Sequence, residues 1–114
     1  MRVFVYGTLM RGQRNHPLMR GASYLGIHRT SPAYTMFGFD DFPAVSIGGR
    51  QAIHGEVFEI NRCLLDRLDR LEGHPHFYRR IGIATDHGEA WMYVVRREAC
   101  RGRPRLSCGW PGQG

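Results

Sequence analysis

Hydrophobic positions along this chain come in short runs of mixed or alternating character, and most of them predict strands. Residues 2–6, Arg-Val-Phe-Val-Tyr, combine β-branched and aromatic side chains, which suit a pleated, half-buried surface. Further strands are predicted over 23–29, 34–39, 44–47, 52–60, 77–85 and 89–97. Pro32, Pro43 and the pair Gly48-Gly49 supply breaks between them, because proline removes a ladder donor and glycine opens turn conformations. Asp86-His87-Gly88 is a hairpin turn. Pro17 stands at the first position of a single helical turn over 17–20, where its missing N–H costs nothing.

One segment has a helical period. Leu64, Leu65, Leu68 and Leu71 recur at helical spacing over 61–71, behind Asn61 as N-cap and ahead of Gly73 as C-terminal stop. Arg62–Asp66 and Asp66–Arg70 are opposite charges four apart on the polar side. The next position on the leucine stripe is Glu72, four residues after Leu68 and seven after Leu65. A carboxylate there is either turned out at a frayed helix end or held in a partly desolvated pocket. Burial and the negative end of the helix dipole both raise a carboxyl pKa, which suits a proton shuttle. Asp69 is a candidate second acid or a surface or capping contact.

The chain has 114 residues, the size of one domain. We divide it into a domain over 1–98 and a basic Gly/Pro-rich tail over 99–114, with Trp110 as the tail's anchor. No window approaches the roughly 18 apolar residues of a membrane span. The first apolar run is too short for the core of a secretion signal, so the cytosol is the expected location, without membrane association. Cys63, Cys100 and Cys108 are scattered and form no CxxC, which argues against a disulfide framework or a thiolate metal site. All 16 basic residues are arginine. Schiff-base chemistry and P-loop phosphate binding, which need a lysine, are therefore excluded. The net charge of +6 raises the question of nucleic acid. The arginines are dispersed, however, with local clusters only at Arg79-Arg80, Arg96-Arg97 and the tail run Arg101, Arg103, Arg105, so no specific nucleic-acid partner is expected.

After the first strand comes Tyr6-Gly7-Thr8-Leu9-Met10-Arg11-Gly12-Gln13. The two glycines have P-loop spacing, but Gln13 and Arg14 stand where Lys and Ser/Thr must be. Such a turn is a plain connection or a nest of backbone N–H groups for an anion. His74-Pro75-His76 lacks the further ligands that a metal site needs, and no metal or organic cofactor is expected. Glu56, alternating onto the face of Phe58 and Ile60, is a second functional carboxylate or an edge residue.

Taken together, these segments resemble the γ-glutamylcyclotransferase-like family, most closely its γ-glutamylamine cyclotransferase (AIG2-like) branch. The resemblance rests on Phe4-Val5-Tyr6-Gly7-Thr8-Leu9-x-Arg11-Gly12-Gln13-x-Asn15-His16 and Gly55-Glu56-Val57-Phe58. It continues through Leu68-Asp69-x-Leu71-Glu72-Gly73, Tyr78-x-Arg80 and Trp91-x-Tyr93-Val94. It implies an α+β fold: a small mixed β-barrel of about six or seven strands, with one main helix and short helical turns. It also implies conversion of a γ-glutamyl amine to 5-oxoproline and free amine, with Glu72 as catalytic acid/base. The Tyr6, Gly7, Thr8, Leu9 loop would border the substrate pocket, and Phe42, Pro43, Tyr78 and Tyr93 would line it. The His74-Pro75-His76 insertion points toward a γ-glutamyl-ε-lysine-like substrate. A monomer acting on a small molecule is expected. The competing readings are a non-catalytic module that binds γ-glutamyl-like ligands and a basic nucleic-acid-associated protein.

Overall fold

The computed structural model describes residues 1–110. Strand β1 (Arg2–Val5) is followed by a 3-10 turn (His16–Met19), β2 (Ser23–Arg29), β3 (Tyr34–Gly38), β4 (Pro43–Ile47) and β5 (His54–Glu59). Helix α1 (Arg62–Glu72), β6 (Tyr78–Thr85), β7 (Gly88–Val95) and a second 3-10 turn (Arg97–Cys100) complete the order. The Asn61 side chain accepts the Leu64 N–H at 2.8 Å and starts α1, satisfying one of the orphan donors of its first turn. Gly73, at φ 68°, stops it in the left-handed conformation that glycine adopts without cost. Of the two predicted i,i+4 pairs, Arg62–Asp66 forms, at 3.3 Å.

Five strands form one sheet in the order β2-β5-β1-β7-β6, with β1 antiparallel to β5 and parallel to β7. Strand alternation divides its side chains between two apolar layers. Val3, Val5, Phe58, Tyr93 and Val95 pack with Leu64, Leu65 and Leu68 of α1. Phe4, Val57, Met92 and Val94 pack with Met36 and Val45 of the β3–β4 hairpin. The sheet is thus buried on both faces, by a helix on one side and a hairpin on the other.

The seven strands do not close into the barrel expected from the sequence. Strands β3 and β4 ladder with each other as a separate two-stranded sheet, joined otherwise only by isolated bridges of Tyr34 to Gln51 and Phe37 to Arg105 among the described residues, and β2 and β6 remain the edges of the larger sheet. Side chains make the closure that a backbone ladder would have made. The Tyr6 hydroxyl donates to the Tyr93 carbonyl at 2.8 Å and accepts the Val45 N–H at 3.3 Å. The Tyr78 hydroxyl donates to the Pro43 carbonyl at 2.9 Å. Pro43, at the start of β4, has no N–H to offer a neighbouring strand. At the other end of the sheet, the β6–β7 turn reaches β2 through His87 Nε2, 3.0 Å from the Ile27 carbonyl, and through Asp86, 3.2 Å from His28 Nδ1.

Beyond the second 3-10 turn the chain runs back along β3. Gly38 N–H donates to the Pro104 carbonyl at 2.8 Å, and Leu106 N–H to that of Met36 at 2.9 Å. Trp110 packs on both apolar layers, with its indole N–H donating to Gln13 at 3.3 Å. The end of the tail, 111–114, lies outside the described residues.

Because the Tyr6 hydroxyl is one of two buried hydroxyls that tie hairpin to sheet, Tyr6→Phe should cost about 1–3 kcal/mol, the penalty of leaving a buried donor and acceptor unsatisfied. A lower urea midpoint at unchanged m-value would register it. An unchanged midpoint would mean that packing and the Tyr78–Pro43 hydrogen bond hold the hairpin without it.

Candidate active site

Where β1 ends, the chain turns sharply: Met10 N–H donates to the Gly7 carbonyl at 3.1 Å and Asn15 N–H to that of Thr8 at 3.0 Å. The Asn15 side chain repeats the tie, donating to Thr8 Oγ1 at 3.0 Å, and His16 Nδ1 lies 2.9 Å from the Leu9 carbonyl. Glu56 accepts the Arg11 N–H at 2.8 Å and Arg11 Nε at 3.2 Å. It braces the loop from outside and lies away from the cavity that the loop borders. Among the described residues, no backbone hydrogen bond is donated by the N–H of Gly7, Thr8 or Leu9. All three residues line the cavity described next.

Gly7 is required by proximity. A Cβ there would stand 2.7 Å from Cγ of Pro43, so only glycine lets the hairpin lie directly on the loop.

The cavity beneath this turn has a volume of about 240 Å³. Its wall contains every residue that the family resemblance placed at the site: Tyr6, Gly7, Thr8, Leu9, Phe42, Pro43, Glu72, Tyr78 and Tyr93. Arg14, Asn15, Leu71 and Phe77 line it as well. These four were not assigned as site residues. Arg14 is an exposed loop arginine among many, and Phe77 stood at the start of a predicted strand. Neither carries a local signal, since they reach the cavity only when the hairpin and the helix end meet. Leu71 was assigned to the buried stripe of α1; the last turn instead leaves it half exposed at the cavity mouth.

Glu72 is the last residue of α1, fully helical rather than frayed. Burial pushes its carboxyl up to about 7, and no hydrogen bond or charge partner among the described residues offsets the desolvation. Near neutral pH it therefore holds and gives up a proton with comparable ease. Asp69, one turn earlier, behaves oppositely. Burial pushes it up, but hydrogen bonds from Arg80 Nε at 2.9 Å and the Tyr93 hydroxyl at 2.6 Å outweigh this and hold it below the ordinary carboxylate range. Asp69 thus stays ionised and pins Tyr93 against the cavity wall. Burial also raises the Tyr6, Tyr78 and Tyr93 hydroxyls far above their usual range, so all three remain neutral.

Three neutral tyrosine hydroxyls, the Gly7–Leu9 turn and one carboxyl raised to about 7 by burial thus line a single cavity of a small α+β protein. Among the described residues, no helix is long and apolar enough to cross a membrane. The profile of the family described as gamma-glutamyl cyclotransferase, AIG2-like, matches residues 3–111, and the chain belongs to that family. It is 37% identical over 97 residues to the gamma-glutamylcyclotransferase family protein YtfP of Escherichia coli, covering 85% of this chain and 84% of that one. The solution structure of E. coli YtfP superposes with a TM-score of 0.78 at 34% identity, over 99% of this chain and 97% of that one. The crystal structure of an AIG2-like protein from Mus musculus superposes with a TM-score of 0.82 at 24% identity, over 99% of this chain and 89% of that one. The latter likeness concerns the fold alone.

Proposed function

We propose that this chain is a cyclotransferase that converts a γ-glutamyl amine, γ-glutamyl-ε-lysine among the candidates, to 5-oxoproline and free amine. The observation that carries this reading is Glu72: a carboxyl raised to about 7 by burial, without a partner among the described residues, on the wall of a cavity bordered by the Gly7–Leu9 turn. Family membership supports a cyclotransferase in general, and the residues of the cavity supply what the reaction requires.

The substrate carries its own nucleophile. Its α-amine attacks the γ-carbonyl carbon and closes a five-membered ring, while the C–N bond to the leaving amine breaks. An enclosing pocket favours the folded conformer, and proximity of this kind can lower a barrier by several kcal/mol. Ionised Glu72 takes a proton from the α-ammonium and, once protonated, returns one to the departing nitrogen. The N–H groups of Gly7, Thr8 and Leu9 are suited to the oxyanion or the substrate α-carboxylate. No cofactor enters this scheme, and we read the protein as a cytosolic monomer, a location the three unpaired thiols support.

The test is 5-oxoproline release from a panel of γ-glutamyl amines and γ-glutamyl-α-amino acids. Turnover of an amine is expected, with kcat/KM rising about tenfold per pH unit toward a midpoint near 7 and levelling above it, because the base must be ionised. Binding of 5-oxoproline without turnover of any panel member would replace this reading with a non-catalytic binding module.

A further inference from the structure

The hydroxyl-bearing residues Tyr6, Tyr78 and Tyr93 share the cavity wall with Glu72. Burial is the main cause of the rise in each hydroxyl, and the charge of Glu72 adds to it in all three. Yet Glu72 accepts a hydrogen bond from none of them. A hydroxyl has one proton to donate, and each of the three directs it elsewhere. Tyr6 donates to the Tyr93 carbonyl at 2.8 Å and Tyr78 to the Pro43 carbonyl at 2.9 Å. Those acceptors belong to the backbone of two strands. Tyr93 alone gives its proton to a side chain, that of Asp69, at 2.6 Å.

Asp69 and Glu72 stand three positions apart on α1, neighbours on one side of its last turn. Both are acceptors for which the Tyr93 hydroxyl is a suitable donor. Asp69 holds it because Arg80 Nε meets both of its oxygens, at 2.9 and 3.2 Å, and keeps it ionised. An ionised oxygen binds a hydroxyl more tightly than a neutral one, and 2.6 Å is the length of such a charge-assisted bond. Arg80 is itself fixed, its guanidinium 4.4 Å over the Trp91 ring and its N–H donating to His74 Nδ1 at 3.2 Å.

We infer that Asp69 is a positioning residue for the proton transfer: backed by Arg80, it takes up the Tyr93 hydroxyl and so withholds that donor from Glu72. A hydrogen bond from Tyr93 would favour the ionised form of Glu72 and shift its titration to lower pH. This inference rests on the cyclotransferase reading and assigns the residue that tunes its acid/base. Among the described residues, the other titratable groups on the wall facing Glu72 are Tyr6 from β1, Tyr78 from β6 and Arg14 from the loop. Cys100 of the second 3-10 turn acts on Tyr6 and Tyr78, and His74 on Asp69.

The experiment follows the carboxyl carbon-13 resonance of Glu72, assigned by its loss in Glu72→Gln, through a pH titration. It compares the wild-type chain, Asp69→Leu, Asp69→Asn, Tyr93→Phe and the double variant Asp69→Leu with Tyr93→Phe. The pH profile of 5-oxoproline release is recorded beside it. In Asp69→Leu the hydroxyl is released, and the Glu72 midpoint should fall by about one pH unit or more, the effect of one hydrogen bond to a charged group. Asp69→Asn lacks the same charge but keeps an oxygen that accepts the hydroxyl, so its midpoint should stay well above that of Asp69→Leu. Removing the Tyr93 hydroxyl from the leucine variant should return the midpoint to that of Asp69→Asn. No fall in Asp69→Leu, an equal fall in Asp69→Asn, or a fall that persists in the double variant would overturn the inference. Should Asp69→Leu fail to fold, Tyr93→Phe decides. An unchanged Glu72 midpoint there supports a hydroxyl given to Asp69, and a rise would show that Tyr93 donates to Glu72 and overturn the inference. The titration needs no turnover, so it decides the role of Asp69 even if no γ-glutamyl compound releases 5-oxoproline, a result that would overturn the cyclotransferase reading alone.

Discussion

Glu72→Gln is expected to lower kcat for 5-oxoproline release by about 10²- to 10⁴-fold, the usual contribution of a positioned acid/base. The same variant should be more stable than the wild-type protein above neutral pH. The sign follows from the direction of the shift. A carboxyl raised from 4.5 to about 7 by burial favours the folded state when it is neutral. That contribution is fully present below about pH 4.5, is lost as pH rises toward 7, and stays lost above. A glutamine cannot ionise and loses nothing over this window. At pH 8 the variant should therefore gain on the order of 2–3 kcal/mol over wild type, while near pH 4 the two should be alike. Urea titrations at the two pH values, run beside the assay, separate the effects. A variant that is inactive because it is unfolded would show the opposite stability change. A variant that is stable and fully active would remove Glu72 from the chemistry.

Gly55→Ala should cause the largest loss of stability among single-methyl additions at a regular strand position. Gly55 is buried in β5 beside the end of β1. A Cβ there would collide with the Val5 carbonyl oxygen and come within 2.8 Å of two carbons of the Phe4 ring. The carbonyl belongs to a backbone paired with its neighbours and cannot rotate away, so β1 and β5 must part. We expect a loss of about 3 kcal/mol, at the upper end for overpacking, and a fall in Tm on the order of 10 °C. Since β1 leads directly into Gly7, Thr8 and Leu9, the displacement should also weaken 5-oxoproline binding. Scanning calorimetry with and without that ligand reads both. An unchanged Tm would show that the strands can slide apart without cost.

Much of this architecture was legible along the chain because the controlling interactions are local. The helix followed from an Asn61 cap, leucines at helical spacing and a Gly73 stop, all within thirteen residues. The strands followed from short β-branched and aromatic runs between turn residues, and their ends differ from expectation by a residue or two, as where strand five begins at His54 rather than at 52. Glu72 could be placed on the core side of α1 from spacing alone, but not distinguished from a frayed end. That distinction required the resemblance of the whole set of motifs.

What the sequence alone determined is the set of elements and the oddity of one carboxylate on an apolar stripe, because capping, periodicity and turn chemistry act over a few residues. The tertiary structure decided how the strands associate: as a five-stranded sheet and a separate hairpin rather than as a barrel, since Tyr6 and Tyr78 bridge a gap that no backbone ladder spans. It likewise decided that Asp69 is held ionised by Arg80 and Tyr93, from strands β6 and β7, while Glu72, three residues on, has no such partner among the described residues. Two carboxylates on one helix end thus acquire opposite proton affinities. Desolvation and hydrogen bonding depend on what the rest of the chain brings against them, and no local pattern encodes that.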